Sequence, residues 1–513
     1  MDDSPGGVLP QPVTAGRREW IALAVLVLPT LLLALDMTVL HLAVPHLSAD
    51  LAPTSAQLLW ILDIYGFMIA GFLITMGTLG DRIGRRRLLM IGATLFGIAS
   101  VLAAFSTSAT MLIVTRALLG VAGATLMPST LSLIRNLFHD PAERTRAIAV
   151  WMTGFMVGSA IGPLVGGALL EFFWWGAAFL LGVPVMLVLL VAGPFLLPES
   201  RDEKAGLLDI PSALLAVSMM LATIYGLKDM ARDGISLSAL VAVASGLLIG
   251  ALFVRRQRRL AEPMFDLNLF RLRTFSVSVL CLLLVVLAFS GIWLMIFQYL
   301  QGVAGLSPLH AGLLIVPSVI TQTAGALLVP RLAQRIPAPL LISRGLWLTA
   351  AGMVMMTQVG GDHGVWMLVI GTVVMGTGAM PMMVLGTDMV VSSAPADKAG
   401  AASATSETAS ELGMALGIAV IGSIGGLVYR QQMLATLPES LPDAWRDSAA
   451  DTLGGAMGVA NLAGEAGPGV MQLAQQAFTS ALHVNAWIGV GIVLVAVLVV
   501  RRFLTHLVPS AHD

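Results

Sequence analysis

The chain is short of charge. Asp, Glu, Lys and Arg make up 11% of its 513 residues, against 57% for hydrophobic types. A soluble domain carries roughly 25% charged residues, so this chain has too little polar surface to coat a core in water. That excludes a soluble enzyme, a nucleic-acid binder and a disordered scaffold. Cysteine is down to one, Cys281, inside an apolar run. An internal disulfide framework is excluded, and no cysteine cluster exists to hold a metal. Only three lysines occur, Lys204, Lys228 and Lys398, and none follows a glycine. A GxxxxGK[ST] phosphate loop is therefore absent, and ATP is not bound in that way. There is no HExxH and no nucleophile–base constellation within the apolar runs, so the chain does not read as an enzyme. No cofactor is expected, and any energy for pumping must come from elsewhere. The net charge of −1 sets up no strong field for acidic or basic partners.

What is present is apolar sequence in long runs, with a mean hydropathy of +0.90. Fourteen runs are long enough to span a bilayer, which needs ~20 residues each. They lie at about 20–45, 57–79, 87–106, 110–134, 146–170, 176–197, 209–227, 236–254, 274–298, 308–330, 339–358, 364–387, 400–428 and 483–505. The first is too long for a signal-peptide core and lacks a small-residue cleavage site, so it reads as a retained span. An even number of spans puts both termini on one side. Of the 28 Lys and Arg residues, 23 fall in segments on one side and 4 on the other, with Arg116 inside the fourth span. Positive charge marks the cytoplasmic side, which puts both termini in the cytoplasm. The expected fold is an all-α membrane protein of fourteen helices, with cytoplasmic tails at 1–19 and 506–513. Residues 431–480 read as an external loop carrying short amphipathic helices.

Four clusters in the first half carry chemistry. Leu35 to Pro45 places Asp36 ~24 Å along the helix from Trp20 at 1.5 Å per residue, beyond the bilayer midplane. A carboxylate there is costly and functional by default; a structural pairing with Arg116 is the plainer alternative. Gly77-Thr78-Leu79-Gly80-Asp81-Arg82-Ile83-Gly84-Arg85-Arg86-Arg87 joins spans two and three. Positive-inside topology explains its arginines but not the spacing of its Gly, Asp and Arg. Arg116 to Ala124 puts an arginine inside span four, where it needs an acceptor or a watery cavity. Gly154, Gly158, Gly162 and Gly166, with Pro163, form a stripe free of side chains on span five, against which another helix can pack closely.

Together these resemble the major facilitator superfamily. Gly77 to Arg87 is similar to its inner-gate loop, which implies a gating role for Gly77, Asp81, Arg82, Gly84 and Arg85, with Arg116 of the span-four motif. Arg116 to Ala124 departs from that motif in having Leu119 where Gln is usual. Gly154 to Gly167 is similar to the span-five motif of antiporters. Leu35 to Pro45 resembles the span-one motif of the fourteen-span drug:proton antiporters, with His41 in place of the usual Asn. Trp60 to Tyr65 and the thirteenth span resemble a narrower branch, the QacA, SmvA and LfrA group of multidrug exporters. Leu126 to Asn136 looks most like the LfrA type. The resemblance implies two six-helix bundles, at 20–200 and 261–505, with two inserted helices at 201–260 between them.

The second half carries a faint echo of the first: Arg331 to Arg335 at the gate position, and Gly413, Gly417, Gly422 and Gly425 as a second stripe. Such repeats bind substrate near the midplane, between the halves. Glu407 and Glu411 are four apart on span thirteen and share a helix face. Two close carboxylates in a low-dielectric site titrate as a unit, which suits proton exchange. Asp36, Glu407 and Glu411 are therefore the proton-coupling candidates. Asp63, flanked by Trp60 and Tyr65, suits a bulky organic cation through charge and cation–π attraction. Together with Glu411 these form the substrate set; an interfacial aromatic belt with a solvated acid is the plainer alternative for Trp60 and Tyr65. In relatives of this kind span ten also carries an acid, whereas Val319 to Ala324 here has none. His41 and His46 read as interfacial packing, with proton relay as the alternative.

The expected function is proton-coupled export of lipophilic cations, dyes and quaternary ammonium biocides across a bacterial inner membrane. The expected partners are organic cations, protons and lipid, with no nucleic acid, and the monomer suffices. The alternative is an exporter of anionic or neutral metabolites. An anion carrier should hold unpaired Arg or Lys within its spans, and only Arg116 qualifies against Asp36, Asp63, Glu407 and Glu411.

Overall fold

A computed structural model describes residues 15–201, 209–233, 236–260, 263, 267–395 and 399–504. The expected tails at 1–14 and 506–513 lie outside the described residues. Regular structure among the described residues is helical throughout. The helices are α1 (Arg17–Leu51), α2 (Ser55–Ile83), α3 (Arg85–Ala104), α4 (Ala109–Leu137), α5 (Pro141–Phe172), α6 (Ala177–Leu196), α7 (Ile210–Asp233) and α8 (Leu237–Gln257). They continue as α9 (Arg273–Val303), α10 (Pro308–Ala333), α11 (Ala338–Met356) and α12 (Gly364–Ser393). The thirteenth, α13, runs from Ala399–Leu416 through a π-helical turn at Gly417–Ile421 into Gly422–Thr436. Two short helices, α14 (Asp443–Asp451) and α15 (Leu453–Leu462), precede α16 (Gly467–Phe503).

Their ends follow local chemistry. Thr54 and Gln57 cap α2 reciprocally, at 3.2 and 3.1 Å. The Asp140 carboxylate accepts from Glu143 N at 2.9 Å, with Pro141 in the first turn of α5. Gly84, at φ +109°, turns the chain from α2 into α3, a conformation open to glycine and strained for other residues. Helix walls facing outward carry large apolar side chains, such as Leu237, Leu247 and Leu248 on α8. That is the surface a bilayer requires.

Among the described residues, twelve helices are long and apolar enough to cross a membrane, or up to thirteen with α5 counted as one bent span. Its arms Arg146–Ser159 and Ile161–Phe172 meet at 42°. Pro163 has no N–H to give the Ser159 carbonyl, which loosens the helix at that turn. This count does not confirm the expected fourteen. The expected seventh span falls in α7, of which the apolar stretch Ile210–Gly226 is not among those counted. Within the expected loop at 431–480, α14 and α15 are short helices, and the two ends of the stretch are helical as well. The helix of span thirteen continues to Thr436, and α16 starts at Gly467. Residues 467–482 are polar enough to look extramembranous, yet Ala, Gln and Leu there favour a helix.

Among the first six helices, α1 packs along α5, α2 along α4, and α3 against α4 and α6. Later in the chain, α9 packs on α13 and α16, and α12 on α10 and α11. Helices α7 and α8 pair with each other, and α7 lies against α2 and α13. At the end bearing the arginine clusters, Arg256 of α8 holds Asp209 at 2.7 Å. Burial pushes the Asp209 carboxyl up, but hydrogen bonds from Ser212 and Arg256 outweigh it and hold the group below the usual carboxylate range.

The two sets of six meet at the opposite end. A Cβ on Gly167 would strike the Leu309 backbone at 2.8 Å, and one on Gly312 would strike the Pro163 carbonyl, so α5 and α10 are in close contact. Gln301 Nε2 donates to the Leu42 carbonyl at 3.0 Å, joining α9 to α1. Gly422 faces Leu59, and Gly454 of α15 presses on Ser48 of α1.

Candidate functional site

Arg116 of α4 is 2% exposed. Its Nη1 donates to Asp36 Oδ2 of α1 at 2.8 Å, and its Nε donates to the Ile61 carbonyl of α2 at 3.1 Å. The guanidinium carbon stands 4.5 Å from the centre of the Tyr65 ring. A buried charge needs this kind of full partnership. Close helix approach makes it reachable. A Cβ on Gly120, one turn beyond Arg116, would stand 2.6 Å from the Tyr65 carbonyl oxygen. Glycine there lets α2 lie against α4 and lays Tyr65 over the guanidinium.

Beside this pair is a narrow cleft between α1, α2, α4 and α13. Leu40, His41, Leu62, Asp63, Tyr65, Gly66, Arg116, Glu411, Met414 and Ile418 form its wall. Helix α2 contributes buried Asp63, and α13 contributes Glu411 from the far side of the seam. A methyl group on Gly66 would stand 3.7 Å from Glu411 Oε2, so glycine leaves that carboxylate room against α2. Three polar atoms around the cleft are shut from solvent without a hydrogen-bond partner: His41 Nδ1, Tyr65 Oη and Glu411 Oε2. Buried polar atoms are rarely left this way unless a ligand or water completes them. Arg116 is the one Arg or Lys among the described lining residues. With Asp36, Asp63 and Glu411 around it, the cleft suits a cation.

The structure separates some residues that the sequence grouped. Arg116 is not at the gate loop; it belongs with Asp36, because the fourth helix carries it away from the arginine-rich end. Asp36 is already charge-paired, so it is not a bare counter-ion for substrate in this state. Trp60 turns from the cleft. Its ring meets Phe67 edge-on at 6.3 Å and packs against the buried cluster that Phe67 forms with Met220 and Ile224 of α7. Five residues separate Trp60 from Tyr65, which rotates the two about 140° apart on a helix of 3.6 residues per turn. Glu407 is exposed, one turn nearer the arginine-rich end than Glu411. The two share a face, but Glu411 alone of the pair lines the cleft.

The gate loop is held within its own half. Asp81 pairs with Arg85 at 2.5 Å. Arg85 N donates to the Ser200 carbonyl at 2.8 Å, and Arg86 N donates to Glu199 Oε1 at 3.1 Å. Arg82 is exposed. A Cβ on Gly77 would make only ordinary contact with Pro128, at 3.8 Å, whereas one on Gly80 would be tight against Arg85 and Leu88. Glu199 and Ser200 escaped sequence reasoning; the signal was an acid among arginines just past α6. Gln301 escaped it too. On α5, Gly154, Gly158, Gly162 and Gly166 all face α1, at Val27, Leu31, Thr38 and Val39. In α10, Gln322 Nε2 donates to Ser318 Oγ at 2.8 Å.

Residues 26–418 match the family model of the Major Facilitator Superfamily. The chain is 44% identical to the multidrug efflux pump LfrA of Mycolicibacterium smegmatis, over 96% of this chain and 97% of the relative. It is 34% identical to the methyl viologen resistance protein SmvA of Salmonella typhimurium, over 90% and 93% of the two chains. The tetracenomycin C resistance and export protein of Streptomyces glaucescens is 33% identical over 87% and 82%. Among solved structures, an inward-facing bacterial homologue of the human lysosomal transporter Spinster has a TM-score of 0.65 at 18% identity, covering 96% and 98%. That likeness is one of fold.

Proposed function

The chain belongs to the major facilitator superfamily, within its drug:proton antiporters, and from that premise we propose that it exports lipophilic organic cations in exchange for protons. Dyes and quaternary ammonium biocides are the substrate class. Export runs across the bacterial inner membrane, with both termini in the cytoplasm, and the expected fourteen crossings include α7. The observation that carries this reading is the cleft in which Asp63 of α2 and Glu411 of α13 lie on one wall system with a single guanidinium. Three carboxylates around one arginine leave a surplus of negative charge in a low-dielectric site. Such a site holds either a cation or protons, and the two compete.

The cycle is alternating access. The halves meet at the end away from the arginine clusters, so the described state is the one that loads from the cytoplasm. Substrate enters past Glu407 and settles against Asp63 and Glu411. Asp36 acts through Arg116, fixing the guanidinium that sets the field of the cleft. Outward opening admits protons, which neutralise Glu411 and release the drug. The Asp81–Arg85 loop latches the cytoplasmic end when that end closes.

The test is ethidium transport into proteoliposomes under an imposed pH gradient, with wild type beside Glu411→Gln and Glu407→Gln. Uptake driven by the gradient and lost in Glu411→Gln is expected. No ethidium movement under either polarity of the gradient would overturn the cationic-drug reading and favour an anionic or neutral solute.

A further inference from the structure

One polar side chain of the cleft has no part in the cycle above. His41 stands on α1 between Leu40 and Leu42, and its Nδ1 is buried without a hydrogen-bond partner. Its ring lies parallel to Phe297 of α9, at 6.5 Å between centroids and 11° between planes. Phe297 is fully buried and meets Trp293 edge-on at 5.7 Å. Helix α1 belongs to the first six helices and α9 to the later six, so this stack crosses the seam. The next residue along, Leu42, accepts the cross-seam hydrogen bond from Gln301. His41 therefore sits where the cleft ends and the closed contact between halves begins. A side chain there for packing alone would have no need of an imidazole with an unsatisfied nitrogen.

We propose that His41 is a second proton-accepting residue of the exchange: neutral and stacked on Phe297 while the cleft holds a cation, and protonated when the outer end opens and the stack parts. The inference rests on the proton/cation exchange proposed above. Charge bookkeeping supports it. The groups facing His41 are Asp36 on α1, Asp63 and Tyr65 on α2, Arg116 on α4 and Glu411 on α13, while α9 offers uncharged Phe297. With its carboxylates ionised, the cleft carries a surplus of two negative charges. One proton on Glu411 leaves a surplus of one, which still attracts a cation. A second proton on His41 brings the empty cleft to neutrality, and a cation then has no net charge to hold it. Opening the seam supplies the timing, because the stack that shields the imidazole is a contact between halves.

The experiment is binding of tetraphenylphosphonium to the purified full-length protein from about pH 5 to pH 8, the range in which histidine titrates. Wild type is compared with His41→Gln, His41→Asn and Phe297→Leu, each first shown to be monodisperse. Each linked proton weakens binding by up to tenfold per pH unit on the acid side. Wild type and Phe297→Leu, which keeps the imidazole, should weaken by up to about 100-fold per unit. Both His41 variants should match wild type at the alkaline end and weaken by no more than about tenfold per unit. Wild-type steepness in the His41 variants overturns the proposal, as does an affinity loss equal at every pH, which is what a packing role would give. Absence of binding by wild type at any pH overturns the cation reading itself, and this inference with it.

Discussion

Asp36→Asn tests the buried pair directly. Asparagine keeps the size and one acceptor oxygen, so the change removes a unit charge 2.8 Å from Arg116 Nη1. At an effective dielectric of 20 that attraction amounts to ~6 kcal/mol. Much of it offsets desolvation, and breaking a buried pair by removing one partner costs about 3–5 kcal/mol. Arg116 keeps the Ile61 carbonyl and the Tyr65 ring, which puts the expected loss near the lower end of that range, ~3 kcal/mol. Arg116→Gln should cost a similar amount, because it leaves the Asp36 charge buried alone. The double variant replaces both ions by neutral amides and should be less destabilised than the sum of the singles by about 2–3 kcal/mol. Reversible unfolding in mixed micelles measures all three, with gradient-driven ethidium transport measured alongside. Single effects that add to within ~0.5 kcal/mol would refute the reasoning that the two charges hold each other. Folded, coupled transport by Asp36→Asn would remove Asp36 from the cycle.

Gly158→Val drives a branched side chain from α5 into the Leu31 carbonyl and Ala34 of α1. Overpacking of this kind costs about 1–3 kcal/mol, and a lowered unfolding midpoint together with slowed transport is expected. Wild-type values for both would show that α1 and α5 do not need their close approach. Trp60→Ala should leave tetraphenylphosphonium affinity within about twofold, since its ring packs by Phe67 and α7, whereas Tyr65→Phe should alter it by removing the unpartnered hydroxyl of the cleft. A large affinity loss in Trp60→Ala, with Tyr65→Phe unchanged, would reverse the assignment of the two aromatic residues.

Most helices were legible because lipid imposes a simple rule: about 20 apolar residues per crossing and internal hydrogen bonds throughout. Where that rule is stretched, the reading slipped. Residues 467–482 are helical yet polar, so hydropathy alone set the start of the last helix too late. The glycine stripe of α5 was legible as a surface, and the structure supplies its partner, α1. In the cleft, the residue types were legible and their partners were not. Asp36 and Arg116, 80 positions apart, are the exception: their pairing was the plainer alternative for Asp36, and it is the one the structure shows. Trp60 and Tyr65 were grouped by nearness along the chain, which on a helix is a poor guide to a shared face.

The division of the charges between helices has a mechanistic consequence. Asp36 and Arg116 lie on α1 and α4, both among the first six helices, so their bond survives a rigid movement of one set of six against the other. Asp63 and Glu411 lie on α2 and α13, on opposite sides of the seam, and their separation changes whenever that seam moves. His41 and Phe297 are divided in the same way. A proton-coupled pump needs groups whose affinity for protons differs between its two states, and only contacts that cross the seam change by necessity. In the proposed exchange, coupling is therefore assigned to Glu411, Asp63 and His41. The Asp36–Arg116 pair supplies a fixed field against which their charges are balanced, and it serves best by not moving.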